Sequence, residues 1–134
     1  IKHFTSAFGE HVIAKEVEES LRLAMVECPE VEITEFTVAP QTKPTKGLPY
    51  HEWLIEFSNE AKDMGLFAQL VDENLQSQNI YYKDLIAGKI LRQLKVTALS
   101  KKAFHNYMKS QGKLGGQNKV PRLANDRKIA DLLS

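Results

Sequence analysis

At 134 residues, 43% hydrophobic and 26% charged, the chain has the length and apolar content of one globular domain, enough to bury roughly two-thirds of its unfolded surface. Its single cysteine, Cys28, excludes an internal disulfide, and no apolar run approaches the roughly 20 residues that span a bilayer. The net charge of +1 covers an asymmetry: residues 1–82 hold 6 Lys+Arg against 14 Asp+Glu, whereas residues 83–134 hold 12 against 3.

A reducing cytoplasm is the expected setting. The chain starts at Ile1 without the charged-then-apolar plan of a signal peptide, so it is expected to be a piece of something longer. The basic second half reads either as a solvated face intermixed with the acidic half or as a positive surface for phosphate or an acidic partner domain.

In chain order, residues 1–6 allow a short strand. In "AKEVEESLRLAMVE" the residues Val17, Leu21, Ala24 and Met25 fall at helical spacing, with glutamates early where they suit the helix dipole, and Pro29 helps to end the helix. "VEITEFTVA" is β-branched and reads as a strand, "PQTKPTKGLP" as a turn or loop. In "YHEWLIEF" Trp53, Ile55 and Phe57 share one face and Glu52, Leu54 and Glu56 the other, so residues 31–57 predict a long-looped hairpin with its acidic face in solvent. Phe67, Leu70, Val71 and Leu75 mark a second helix, which "NIYYKDLIAG" continues or follows with a short one. "KILRQLKVTAL" predicts a third strand. Ser100 is a candidate cap for the helix "KKAFHNYMKSQ", and Asn125 or Asp126 for a last helix through Ile129, Leu132 and Leu133. The order βαββαβ with helical additions predicts an α+β domain of split-βαβ type, a mostly antiparallel sheet packed with helices.

Conventional catalytic constellations are scarce. Cys28 ends an apolar stripe with no neighbouring His and reads as a buried structural thiol. The histidines at 3, 11, 51 and 105 lack metal-ligand spacing, and His51 and His105 read as surface residues. No phosphate-loop pattern occurs, and aromatics at core spacing give a nucleic-acid stacking platform little support. What remains is the stretch "KLGGQNKVPRL", residues 113–123. Gly115 and Gly116 open backbone conformations closed to other residues, Pro121 restricts the residue before it, and Lys119 and Arg122 bring charge to a flexible arm. On composition alone it is a basic linker or a phosphate-reaching loop.

"FGEHVIAKEVEESL" at 8–21, "YHEWLIEF" at 50–57, "LVDENLQSQNIYYKDL" at 70–85 and "GGQNKVPRL" at 115–123 together resemble the C-terminal domain of the Gretchen Hagen auxin-responsive family, the acyl-acid amido synthetases. The most specific element is Gln-x-Lys-x-Pro-Arg, from Gln117 to Arg122, supported by Asn79, Tyr81 and Tyr82 in Asn-x-Tyr-Tyr. The resemblance implies a longer adenylate-forming ligase. Its N-terminal domain would bind ATP, Mg and a carboxylic acid and make an acyl-adenylate, whose acyl group passes to an amine such as that of an amino acid. The present chain would be the mobile lid, inactive alone, with its own N-terminal domain as partner and no nucleic acid or membrane involved. Lys119 is then the expected catalytic cation, Gln117 and Arg122 contact phosphate or substrate, and Glu10 and His11 meet substrate in the transfer state. Where plant members carry Ser-Asp-Lys-Thr this chain has Gly9, Glu10, His11 and Val12, and Asn118 replaces an aromatic residue, so a bacterial-type member is expected rather than one acting on hormones. The alternatives are a standalone ligand-binding domain or a phosphate- or RNA-binding module without catalysis.

Overall fold

The computed structural model describes residues 4–5, 8, 10–110, 122–124 and 126–133. Strand β1 (Phe4–Thr5) pairs antiparallel with β2 (Val12–Ile13) as a small ribbon, apart from the main sheet. Helix α1 (Ala14–Glu27) follows directly. Glu16 stands in its first turn and reaches back to accept from the Ile13 amide at 3.0 Å, tying down a donor that would otherwise be orphaned. Val17, Leu21 and Ala24 are buried at the spacing the sequence predicts.

The main sheet has three strands in the order β3 (Glu32–Gln41), β4 (Tyr50–Asn59) and β5 (Lys95–Leu99). β3 and β4 form the predicted hairpin, antiparallel with Val38 opposite Trp53, and β5 joins β4 in parallel with Val96 opposite Trp53. A parallel neighbour needs a crossover, supplied here by α2 (Met64–Gln78) and α3 (Ile80–Ala87). Asp63 caps α2 through the Leu66 amide at 3.0 Å. Asn79 closes α2, and its side chain accepts from the Tyr82 amide at 2.9 Å to open α3, so of the two options the sequence allows, a separate short helix is the one formed. Of "KILRQLKVTAL" only the last five residues are strand, while Leu91 and Leu94 enter the core from an irregular segment. Helices α4 (Ala103–Ser110) and α5 (Lys128–Leu133) complete the α+β domain. None of the described helices is long and apolar enough to cross a membrane.

β4 is the centre of the molecule: residues 50–57 are all buried. Trp53, Ile55 and Phe57 face a core shared with α1, α2 and α3, where Phe57 meets Phe67 edge-on at 6.0 Å. Cys28 belongs to the same core, and burial, reinforced by the charges of Glu30, Glu27 and Asp63, raises its thiol pKa and keeps it unreactive. Leu70 and Val96 pack against this core and are only partly buried.

The opposite face corrects the sequence reading. Glu52 and Glu56 are 8% and 6% exposed, because α4 and α5 cover a surface that strand alternation alone assigns to solvent. Leu54 packs there with Ala39 and Ala130. Glu56 accepts from the Lys102 amide and the Phe104 amide, each at 3.0 Å, and so caps α4 in place of Ser100. Glu52 accepts from Thr97 Oγ1 at 2.5 Å and Arg127 Nη2 at 2.8 Å, which docks the start of α5. Asp126 accepts from the Lys128 amide at 3.0 Å.

Removing the buried carboxylate should therefore loosen one helix selectively. Glu56→Ala is expected to cost about 2–3 kcal/mol, the scale of two lost hydrogen bonds to a charged group, against under about 0.5 kcal/mol for Glu60→Ala on the surface. Urea unfolding followed by the emission of Trp53 measures the first, and amide hydrogen exchange should accelerate in α4 while α1 stays protected.

Candidate functional site

The loop entering α1 carries two of the candidate residues, and the fold treats them oppositely. Glu10 is fully buried. Its Oε1 accepts from the Phe8 amide at 2.9 Å and its Oε2 lies 2.5 Å from His51 Nε2, on β4. His51 is itself fully buried, against the sequence reading of a surface residue, and stacks between Phe8, 6.4 Å away, and Tyr82, 5.2 Å away. Its burial follows from the strand register: His51 shares the face of Trp53 and Ile55. His11, the next residue, is exposed and has a left-handed backbone with φ +48°, a conformation usually left to glycine.

Asn79 holds that strained turn. Its amide nitrogen donates to the carbonyl oxygen of Glu10 at 3.0 Å and to Glu16 Oε1 at 3.1 Å, while its oxygen caps α3. One side chain thus joins the N-terminal loop, the first turn of α1 and the α2–α3 junction. Of the two tyrosines in Asn-x-Tyr-Tyr, Tyr81 is 61% exposed and Tyr82 is fully buried. The Tyr82 hydroxyl donates to Asp72, whose Oδ1 also accepts from the Leu94 amide at 3.1 Å. Burial first, and then the Asp72 charge, push the Tyr82 phenol well above its usual value. Asp72 went unrecognised from sequence, although a carboxylate falling on the apolar stripe between Val71 and Leu75 was a usable signal.

The second group of candidates is divided. Gln117 and Lys119 lie outside the described residues. Arg122 lies within them and is held by its own domain: Nη1 is 2.9 Å from Glu18 Oε2, Nε is 3.5 Å from Glu35 Oε1, and the guanidinium sits 5.0 Å above the ring of Phe36. The backbone around it is stitched to the free edge of β3, with the Val38 amide donating to the Arg122 carbonyl at 3.0 Å and the Ala124 amide to the Val38 carbonyl at 2.8 Å. Leu123 between them is fully buried. The Gln-x-Lys-x-Pro-Arg segment therefore runs into a fixed anchor. Among the described residues no cluster of three or more His, Cys, Asp or Glu side chains could hold a metal ion.

Chemically, the loop withholds the Glu10 carboxylate from solvent, in contact with His51, and leaves His11 exposed. Burial alone would raise the Glu10 carboxyl, but the hydrogen bond and charge of His51, with the amides of the loop, outweigh it and hold the carboxyl below 4.5. A lowered folded value means that ionised Glu10 stabilises the fold above about pH 4.5, and that this contribution disappears as pH falls through the folded value. Glu10→Gln should cost about 2–3 kcal/mol at pH 7, and the gap to the parent protein should close as pH falls through the lowered folded value of Glu10. Urea unfolding across that range tests it. A gap constant in pH would mean that shape, and not charge, holds the loop.

Comparison with known proteins gives this geometry a context. The model of the GH3 family C-terminal domain matches residues 11–128. No curated protein sequence matches the chain. Among solved structures, a GH3.15 acyl acid amido synthetase is similar with a TM-score of 0.76 at 17% identity, covering 98% of this chain and 25% of that one. A second, an AtGH3.15 acyl acid amido synthetase in complex with 2,4-DB, gives 0.75 at 14% identity with the same coverage. The chain thus spans about a quarter of the length of these neighbours, and at such identities the likeness establishes the fold. The family match runs from the exposed His11, across the Asn79 junction and the β3 anchor, to the start of α5, and on that ground the chain belongs to the GH3 family, as its C-terminal domain.

Proposed function

We propose that this domain is the mobile lid of an ATP-dependent acyl-acid amido synthetase, swinging between an adenylation and an acyl-transfer orientation over its own N-terminal domain. The observation that carries the reading is the family match over residues 11–128, which contains the Gln-x-Lys-x-Pro-Arg segment; the fold shared with two acyl acid amido synthetases supports it. ATP, Mg and the carboxylic acid would bind chiefly to the N-terminal domain, and the acyl group would pass to an amine.

In this reading Lys119 supplies the charge the chemistry needs. Attack of a carboxylate on the α-phosphate concentrates negative charge on the phosphoryl oxygens and the departing pyrophosphate. A cation carried into a water-poor cleft by a closing lid stabilises that charge where it develops. Gln117 accompanies it as a polar contact. Arg122, already engaged by Glu18 and Glu35, serves as the anchor at the end of the motif. At the other end of the domain Glu10 positions His11, and His11 meets substrate in the transfer state.

The test separates the two half-reactions. In the full-length enzyme Lys119→Ala should remove roughly 3 kcal/mol from the adenylation transition state, about a hundredfold in rate, and leave transfer from a presupplied acyl-adenylate nearly unchanged. Unaltered adenylation would remove Lys119 from the mechanism. Equal loss in both steps would point to a folding or hinge defect. The chain of residues 1–134 by itself should show no acid-dependent exchange of pyrophosphate into ATP, and exchange above background would overturn the lid reading.

A further inference from the structure

A cluster of charge remains that neither the loop at Glu10 nor the anchor at Arg122 uses. At the open end of the β3–β4 hairpin, a concave space of about 430 Å³ is lined by Lys43 and Lys46 from the hairpin loop, Tyr50 at the start of β4, Arg92 from the α3–β5 connection and Lys95 at the start of β5. Four of its lining residues are cations and none is acidic. None of the four forms an ion pair with a described residue, whereas the other two arginines of the basic half, Arg122 and Arg127, are both paired with carboxylates. The carboxylate nearest in register is Glu52, opposite Lys95, and its two oxygens are taken by Thr97 and Arg127.

The space is more than a set of free lysines. Arg92 is held at two points: its guanidinium lies 4.3 Å from the centre of the Tyr50 ring, and its amide donates to the Pro49 carbonyl at 3.0 Å. Gly47 has φ +79°, so the loop takes a course that a side chain there would strain. Tyr50, beneath the guanidinium, is itself buried. A planar fork already stacked in place loses little freedom when it grips a phosphate, and the lysines add point charge around it. Four like charges lining one concavity repel each other, and a multiply charged anion relieves all of those repulsions together.

We propose that this hairpin pocket is a binding site for a diphosphate group, either free pyrophosphate or the diphosphate of a nucleotide or cofactor. Two phosphates match four cations and a space of this size, whereas a single phosphate would leave two cations unserved. The site stands on the described residues alone and does not depend on the lid mechanism or on Lys119.

Calorimetric titration of the chain with inorganic pyrophosphate at about 50 mM ionic strength is the test. One equivalent should bind with a dissociation constant on the order of 0.1–1 mM, weakening as salt is added. Lys46→Ala and Lys95→Ala, whose side chains are exposed and whose loss does not threaten the fold, should each weaken binding about tenfold, and Arg92→Ala more; Lys15→Ala and Lys62→Ala, outside the pocket, should leave it unchanged. ADP binding as tightly as pyrophosphate, or tighter, supports the site and identifies a nucleotide source. ADP binding more weakly supports it as a site for the free diphosphate. The proposal falls if no saturable binding occurs up to about 10 mM pyrophosphate. It falls equally if orthophosphate and sulfate bind as tightly, or if the variants outside the pocket lose as much as those within.

Discussion

A strand flanked by neighbours on both edges and covered on both faces leaves its polar residues no access to water, and β4 imposes that constraint on the whole domain. His51, Glu52 and Glu56 stand on it in buried positions, and each has to be satisfied from elsewhere in the chain. The solutions build the domain. Glu10 comes in from the N-terminal loop to His51, Arg127 brings the start of α5 to Glu52, and the amides of Lys102 and Phe104 bring α4 to Glu56. Segments 41 and 75 residues away in sequence are thereby fixed by side chains of one strand. Apolar burial drives the collapse, and the buried charges decide which pieces sit where.

The same strand links the two ends of the functional argument. Successive side chains of a strand point to opposite faces. Tyr50 turns to the hairpin pocket and carries the Arg92 guanidinium, and His51, one residue on, turns inward to Glu10 in the N-terminal loop. Charge gathered at the hairpin and the geometry of the N-terminal loop therefore share a backbone only one residue long.

The elements that bury one face were legible in the sequence. The stripes of α1 and α2, the hairpin and the inward set of Trp53, Ile55 and Phe57 followed from period alone. The acidic face of β4 was misread because alternation identifies two faces without saying whether the second is covered, and the covering residues lie in α4 and α5, far along the chain. Leu54, set between Glu52 and Glu56, was the one local sign of cover. His51 was misread because its partner, Glu10, gives no periodic signal. Asn79 was seen as part of a motif, but its joining of two helices and a loop is a property of three dimensions. Lys119 and Gln117 were reached through resemblance, since a short basic stretch with two glycines has no pattern that physical reasoning can convert into a role.

The bridge at Leu123 has a meaning beyond anchoring. β3 is an edge strand, and an exposed edge offers unpaired amides and carbonyls on which another chain can add. Along this edge Val38 has both groups occupied by Arg122 and Ala124, and Pro40 has no amide to offer. The segment that follows the Gln-x-Lys-x-Pro motif thus closes the sheet against strand addition. A change that frees this segment from β3 would uncover an adhesive edge, and the damage would show as self-association of the domain.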